Sequence, residues 1–414
     1  MQTGVVKRRG FLCIGGYEPI DAEWWYRRFG RELKRFEATW NVQSVMSPPI
    51  ISEDGSLAVW KIDTKGADWH VETEYRLLRW DDFVKADFAR SGVERVPKGI
   101  GALFDFVFSG AALRYFRTSV RYGLFFLYPF VILGGIAAFS VFLPRFFSLA
   151  GLPVPALAAF FLSVVCFFGL LYAAGRVLLL DYMFDDWIFA DEFVHRTRAG
   201  LDERLDRFAR EIVACARDTS RDEVIVSAHS LGAALIMDVM DRALKLDPEL
   251  GKRGPVLWLM STGSSLLKVA LHPKADWLRA ATDRVANAPG VNWMEYQAIV
   301  DVISFYKTDP VAEMGLKARG KPIVQQVRMR KMLKPETYKR FWGNFFRLHR
   351  QWSMGNELRY FYDYYQIICG PAPLSLRVSA RDKLVDAFSE NGGYNAEAAM
   401  NAVQEAARKK AAKA

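Results

Sequence analysis

The chain has 414 residues, 51% hydrophobic, 14% aromatic and 25% charged, enough for one large core with extensions or for two domains, and this balance argues against a disordered polymer. Its net charge of +10 comes without zinc-finger spacing, a nucleic-acid-binding aromatic motif or a long basic helix. Nucleic acid is therefore not the expected partner; anionic headgroups, at about 1 kcal/mol per well-placed Lys or Arg, are the simpler one, and a mean hydropathy of +0.01 is high for a soluble enzyme.

In chain order, Lys7, Arg8 and Arg9 precede apolar Phe11 to Ile14, but Gly15, Gly16, Glu18 and Pro19 end that run too soon for a signal peptide. It reads instead as a short strand closed by Gly15-Gly16. Asp21 then caps a helix over Ala22 to Thr39, with Trp25, Phe29, Leu33 and Phe36 at helical spacing. A strand-rich stretch follows to about Arg79, where Ala58, Trp60 and Ile62 alternate with other residues. The cysteines Cys13, Cys166, Cys215 and Cys369 form neither a metal-binding spacing nor a disulfide framework, which points to a reducing compartment and to no structural metal.

No charge appears from Tyr122 to Leu143 or from Leu152 to Gly175, and each run matches the about 20 residues that cross a hydrocarbon core. Pro144, Arg145, Pro153 and Pro155 punctuate the link, so a transmembrane hairpin is predicted. Arg114, Arg117 and Arg121 before it and Arg176 after it outnumber Arg145 in the link. The excess of positive charge places both flanks, and so both termini, in the cytoplasm. Trp187 and Phe189 are expected to rest on the headgroup layer.

Beyond the hairpin, Leu201 to Ala216 is amphipathic through Leu205, Phe208, Ile212 and Val213. Strand-like Val224-Ile225-Val226 runs into Ser227-Ala228-His229-Ser230-Leu231-Gly232, and a helix follows from about Ala233 to Leu246. Further strands are predicted at Val256 to Met260, Trp293 to Ile299 and Ile323 to Val327, and Pro335 to Leu348 reads as helix. Alternating strands and helices predict a mostly parallel sheet covered on both faces. Ala396 to Ala414, with Arg408, Lys409, Lys410 and Lys413, reads as a frayed helix or basic tail.

Ala228-His229-Ser230-Leu231-Gly232 is a small-x-Ser-x-small pattern set between a strand and a helix. A serine on so sharp a turn needs small residues two positions away, because larger ones would strike the adjoining strand and helix. The turn exposes the hydroxyl and aims the Leu231 N–H at a developing oxyanion, while the helix N-terminus favours negative charge. A plain serine N-cap is the simpler alternative.

The pattern resembles the Gly-His-Ser-Leu-Gly of lipases and esterases of the α/β-hydrolase superfamily, with Ala228 in the first place. The likeness extends over the segments on both sides of the hairpin and points to a bacterial membrane-anchored branch, in the inner membrane. It implies an acid and then a histidine later in the chain. The strand-like Trp293 to Ile299 leads into Asp301 at the place where the family carries its acid, with Asp309 as second choice. His70 and His195 precede the serine, His229 adjoins it, and His272 precedes the acid, which leaves His349. Gly15-Gly16-Tyr17 is similar to the lipase oxyanion turn, so the Tyr17 N–H would join that of Leu231.

The predicted fold is thus α/β, an α/β-hydrolase fold interrupted by a two-helix transmembrane hairpin. Residues 1–113 would supply the oxyanion turn, 114–180 the hairpin with spans near 122–143 and 152–175, 181–395 the triad, and 396–414 a tail. The expected activity is serine hydrolysis of a carboxylic ester or lipid at the bilayer, with no cofactor. Thioesterase, peptidase or acyltransferase chemistry would use the same triad, and a catalytically inactive scaffold is the reading from another class.

Overall fold

Short apolar strands between amphipathic helices bury themselves only by sharing a sheet under helical cover. The computed structural model describes residues 4–152, 154–317 and 321–411; Pro153 and Lys413 lie outside the described residues. Its strands are β1 (Arg8–Ile14), β2 (Gln43–Met46), β3 (Ile50–Ile51), β4 (Leu57–Lys65), β5 (His70–Leu78), β6 (Glu223–His229), β7 (Val256–Thr262), β8 (Val291–Ala298) and β9 (Ile323–Val327). They form one sheet in the order β2-β4-β5-β1-β6-β7-β8-β9, with β3 beside β4. From β5 to β9 every neighbouring pair is parallel, and β4 is antiparallel to β2, β3 and β5.

The chain divides into two compact units, residues 1–84 with 198–414, and residues 85–197. The first holds the whole sheet. On one face, Phe11 and Cys13 belong to a core with Trp25, Phe29, Leu33 and Phe36 of the helix Ala22–Trp40. That helix starts where expected, the Trp24 N–H donating to Asp21 Oδ1 at 2.8 Å. Opposite, Gly10 lies against Cys215 of the helix Leu201–Arg217, and Gly232 of the helix Gly232–Leu246 lies against Ile14. At the start of the central strands, buried Arg9 pairs with Glu223 at 2.9 Å. Arg9 also donates to the carbonyls of Ile368, Gly370 and Ala372, tying the C-terminal segment to β1 and β6.

Because β1, β6, β7 and β8 are parallel and in register, the turns after Ile14, His229, Thr262 and Ala298 emerge at one edge of the sheet. The loops at that edge carry Gly15, Gly16, Ser230, Gly263 and Asp301.

The second unit is helical: Gly92–Phe108, Ala111–Thr118, Val120–Phe126, Tyr128–Leu149, Ala156–Val177 and Leu180–Val194. Tyr128–Leu149 and Ala156–Val177 are long and apolar enough to cross a membrane, consistent with an integral membrane protein. The first starts later than Tyr122, because Pro129 opens a new helix after the break at Leu127. Pro144 and Arg145 lie inside that helix and not in the link, the Arg145 guanidinium resting over the Phe142 ring. Trp187 and Phe189 do not face a headgroup layer. Both are fully buried, and the Trp187 ring sits 4.9 Å from Phe106 and 5.0 Å from Phe126.

One further expectation is revised, and one pair of alternatives is decided. Residues 335–348 form two short helices, Pro335–Phe341 and Phe345–Arg350, because Gly343 turns to φ 83° and Asn344 caps the second by accepting from Arg347 N–H. The C-terminal segment is a helix, Ala396–Ala411, with Ala399 buried against the core.

Candidate active site

Ser230 follows the last residue of β6 and has φ 57°. That left-handed conformation costs a non-glycine residue about 1–3 kcal/mol and persists only where its surroundings enforce it. Here its N–H donates to the Thr262 carbonyl at 3.2 Å, and its own carbonyl accepts from Ala233 at 3.0 Å and Ser265 at 3.1 Å. Space is as tight as the pattern of small residues predicts. A Cβ on Gly232 would sit 2.5 Å from the Gly15 carbonyl oxygen, and one on Gly16 would sit 3.0 Å from the Ser230 Cβ. Ala228, fully buried, pairs in register with both Ile14 and Ser261.

The turn Gly15-Gly16-Tyr17 therefore lies against Ser230. Trp80 donates its indole N–H to the Gly15 carbonyl at 3.1 Å and tilts against the Tyr17 ring at 5.9 Å. Leu231 precedes the first helical residue, and among the described residues its N–H donates to no backbone carbonyl, as befits the open end of a helix.

Asp301 and His349 are 48 residues apart in sequence and meet in the fold. The His349 Nδ1–H donates to the two oxygens of Asp301 at 2.8 and 2.9 Å, the tautomer being the one a carboxylate requires. Asp301 is fully buried and also accepts from the Trp352 indole at 2.7 Å and from Ile303 N–H at 3.2 Å. Burial alone would raise its pKa, but the His349 charge and the hydrogen bonds of His349, Trp352 and Ser304 carry it down to about 2. The other ring nitrogen of His349, Nε2, is buried and has no hydrogen-bond partner among the described residues. Ser230 and His349 are both buried, at 8% and 6% exposure, and no hydrogen bond joins them.

His229 links the two. Its Nε2–H donates to the His349 carbonyl at 3.1 Å, and the rings lie 4.6 Å apart. Burial, then the proximity of His349, lowers its pKa to about 3, so it stays neutral.

Sequence reasoning missed the supporting shell. Glu18 accepts from Arg28 at 3.1 Å and from Arg350 at 2.7 Å, bridging the glycine turn to the residue after His349. Burial raises the Glu18 pKa, but Arg28 and Arg350 outweigh it and the net shift is downward. Gly263, at φ 52°, is the second such residue: a Cβ there would sit 2.6 Å from the Trp352 indole nitrogen and 2.8 Å from Asp301 Oδ2. No local pattern announces either; Trp352, three residues after His349, was the available signal.

The remaining expected candidates lie elsewhere. Asp309 caps the helix Pro310–Glu313 through Val311 and Ala312 N–H. His272 Nδ1 accepts from Lys274 N–H, and His195 bonds Asp105 in the second unit. His70 bonds Asp63 near the start of β5, and with Glu72 these bring possible metal ligands within 4.8 Å of one another. Glu72 pairs with Arg8, so that exposed group lies at the opposite end of the strands from Ser230. The chain matches no family model, no curated protein and no solved structure.

Proposed function

We propose that this chain is a membrane-anchored serine hydrolase of the α/β-hydrolase type, acting on a carboxylic ester or lipid acyl group. The observation that carries it is His349: Asp301 holds one ring nitrogen, the other has no partner among the described residues, and the ring packs on the residue preceding a conformationally strained serine. The order serine, acid, histidine along the chain and the parallel strands flanking β6 support the same reading.

In this mechanism His349 Nε2 takes the Ser230 proton as Oγ attacks the acyl carbonyl, and Asp301 holds the imidazolium that forms. The N–H groups of Leu231 and Tyr17 face the oxyanion, helped by the positive end of the helix Gly232–Leu246. The tetrahedral intermediate collapses to an acyl-serine as His349 protonates the leaving alcohol. Water, deprotonated by the same nitrogen, then releases the acid. A thioester, a peptide or an acyl acceptor other than water would pass through the same steps.

An inactive hydrolase-like scaffold is the second reading, favoured by the absence of a Ser230–His349 hydrogen bond. Such bonds are often long before substrate binds and tighten in the reacting complex. Labelling the detergent-extracted protein with a fluorophosphonate separates the two. Labelling that disappears in Ser230→Ala and drops by on the order of 10³-fold or more in folded His349→Ala is expected of the enzyme. An unlabelled, folded wild type with an accessible site would establish the scaffold.

A further inference from the structure

The strands place a constraint on the second unit. β1 and β5 come from before it and β6 from after it, yet all three share one sheet. Both flanks therefore lie on the same side of any membrane the chain crosses, and the number of complete crossings is even. Two helices can cross on their own. The bent pair Gly92–Phe108 and Ala111–Thr118, which meet at 67° around Gly110, is then not a third crossing.

That pair and the helix after it nevertheless carry an outward apolar surface. Phe108 is 82% exposed, Leu113 54%, Val120 62% and Leu124 59%. Leu113 and Arg117 lie on one short helix and Val120 and Leu124 on the next, across the extended Ser119, and all four are exposed. The inward face holds Ala111, Tyr115, Tyr122 and Phe126, with Tyr115 5.2 Å from Tyr122 and 5.6 Å from Phe126. Arg114 and Arg117 are exposed on the same segment. Four residues after Leu124 the first membrane-spanning helix begins at Tyr128.

We infer that residues 108–124 form an interfacial platform, lying in the headgroup layer on the side that carries the sheet and preferring anionic lipid. Leu113, Val120 and Leu124 enter the acyl boundary while Arg114 and Arg117 reach up to lipid phosphates, which is how an amphipathic segment holds a membrane surface. Continuity with a spanning helix fixes its height, and the even crossing count fixes its side. The inference is independent of any chemistry at Ser230.

The test uses the full chain with Cys166→Ala, since Cys13, Cys215 and Cys369 are buried. An environment-sensitive fluorophore is placed at Leu113→Cys, Val120→Cys or Leu124→Cys, at Val165→Cys in the second span, and at Ile50→Cys on β3. Each protein is reconstituted in vesicles of phosphatidylcholine with phosphatidylglycerol. The platform labels are expected to be quenched by lipids brominated near the headgroup and shielded from aqueous iodide. Val165→Cys should respond to bromines at the bilayer centre, and Ile50→Cys to iodide alone. Brominated phosphatidylglycerol should quench the platform more than brominated phosphatidylcholine, by up to about fivefold per arginine, and Arg114→Gln/Arg117→Gln should erase the difference. Iodide quenching equal to that at Ile50→Cys, or quenching only by bromines at the bilayer centre, overturns the platform. Equal quenching by the two headgroups overturns the anionic preference. A silent Val165→Cys label would sink the membrane-spanning assignment itself.

Discussion

Ser230 carries backbone strain, and its neighbours show what enforces it. Gly16 approaches its Cβ so closely that Gly16→Ala must push one of the two backbones by a few tenths of an ångström. Displacements of that order at a reacting centre predict about a tenfold slower fluorophosphonate labelling with little change in melting temperature. Trp352→Phe keeps a ring but deletes the indole donor to Asp301. A bond to a carboxylate contributes roughly 1.5–3 kcal/mol, so the melting point should fall and labelling should slow together. His229 adds a pH signature. Its folded pKa of about 3 lies below the ordinary histidine value of 6.5, so below pH 6.5 the unfolded chain binds a proton that the folded one refuses. Stability therefore falls with acidification, at a slope approaching 1.4 kcal/mol per pH unit (~1.36 per pKa unit). Melting curves from pH 7.5 to 5 should show that loss, and His229→Gln should flatten it; parallel curves would sink the assignment. The pairing of Asp301 with His349 and the sharp turn at Ser230 could be anticipated, because chain order and the strand-turn-helix setting left few choices. Glu18 and Gly263 could not, since each acts through a partner distant in sequence.

At the scale of elements, legibility follows how local the physics is. The helix Ala22–Trp40 and strand β6 were readable because a cap, an apolar period and a glycine sit within a few residues of one another. Misreadings arose where the deciding contact is tertiary. Trp187 and Phe189 look like interfacial aromatics by their distance from the spans, yet Phe106, Tyr115 and Phe126 enclose Trp187. Residues 335–348 keep helical composition throughout, and the single positive φ at Gly343 divides them. Arg9 and Glu223 stand opposite each other in the register of β1 against β6, both without exposed side-chain surface. Arg9→Met would leave the Glu223 charge with one fewer partner in a dry site, an expected cost of about 3–5 kcal/mol. Chemical denaturation in detergent would read it, and Arg9→Met/Glu223→Leu should recover part of the loss. A double variant no more stable than Arg9→Met would mean that the carbonyls of Ile368, Gly370 and Ala372, not the ion pair, set that cost.

At the scale of the whole molecule, the sheet is built from two stretches of chain that the helical unit interrupts. Arg198 donates to the Phe83 carbonyl at 3.0 Å, so the two boundaries of that interruption lie side by side. Replacing residues 85–197 by a short glycine-serine linker should then give a water-soluble protein that keeps its sheet and its probe labelling. Recovery in the supernatant after ultracentrifugation with a native-like circular dichroism spectrum is the expected outcome, and aggregation would show that the sheet unit depends on the helical one for cover. The same interruption sets a timetable for biosynthesis. β1 gains β5 on one side once His70–Leu78 has been made, but its other edge stays open until β6 is made, roughly 145 residues after the end of β5. At about 5–20 residues per second that wait is on the order of ten seconds, and any insertion of the two apolar helices into a bilayer falls within it. Mutations that slow membrane insertion would therefore appear first as aggregation of the nascent N-terminal half through an unpaired strand edge, before any loss of chemistry.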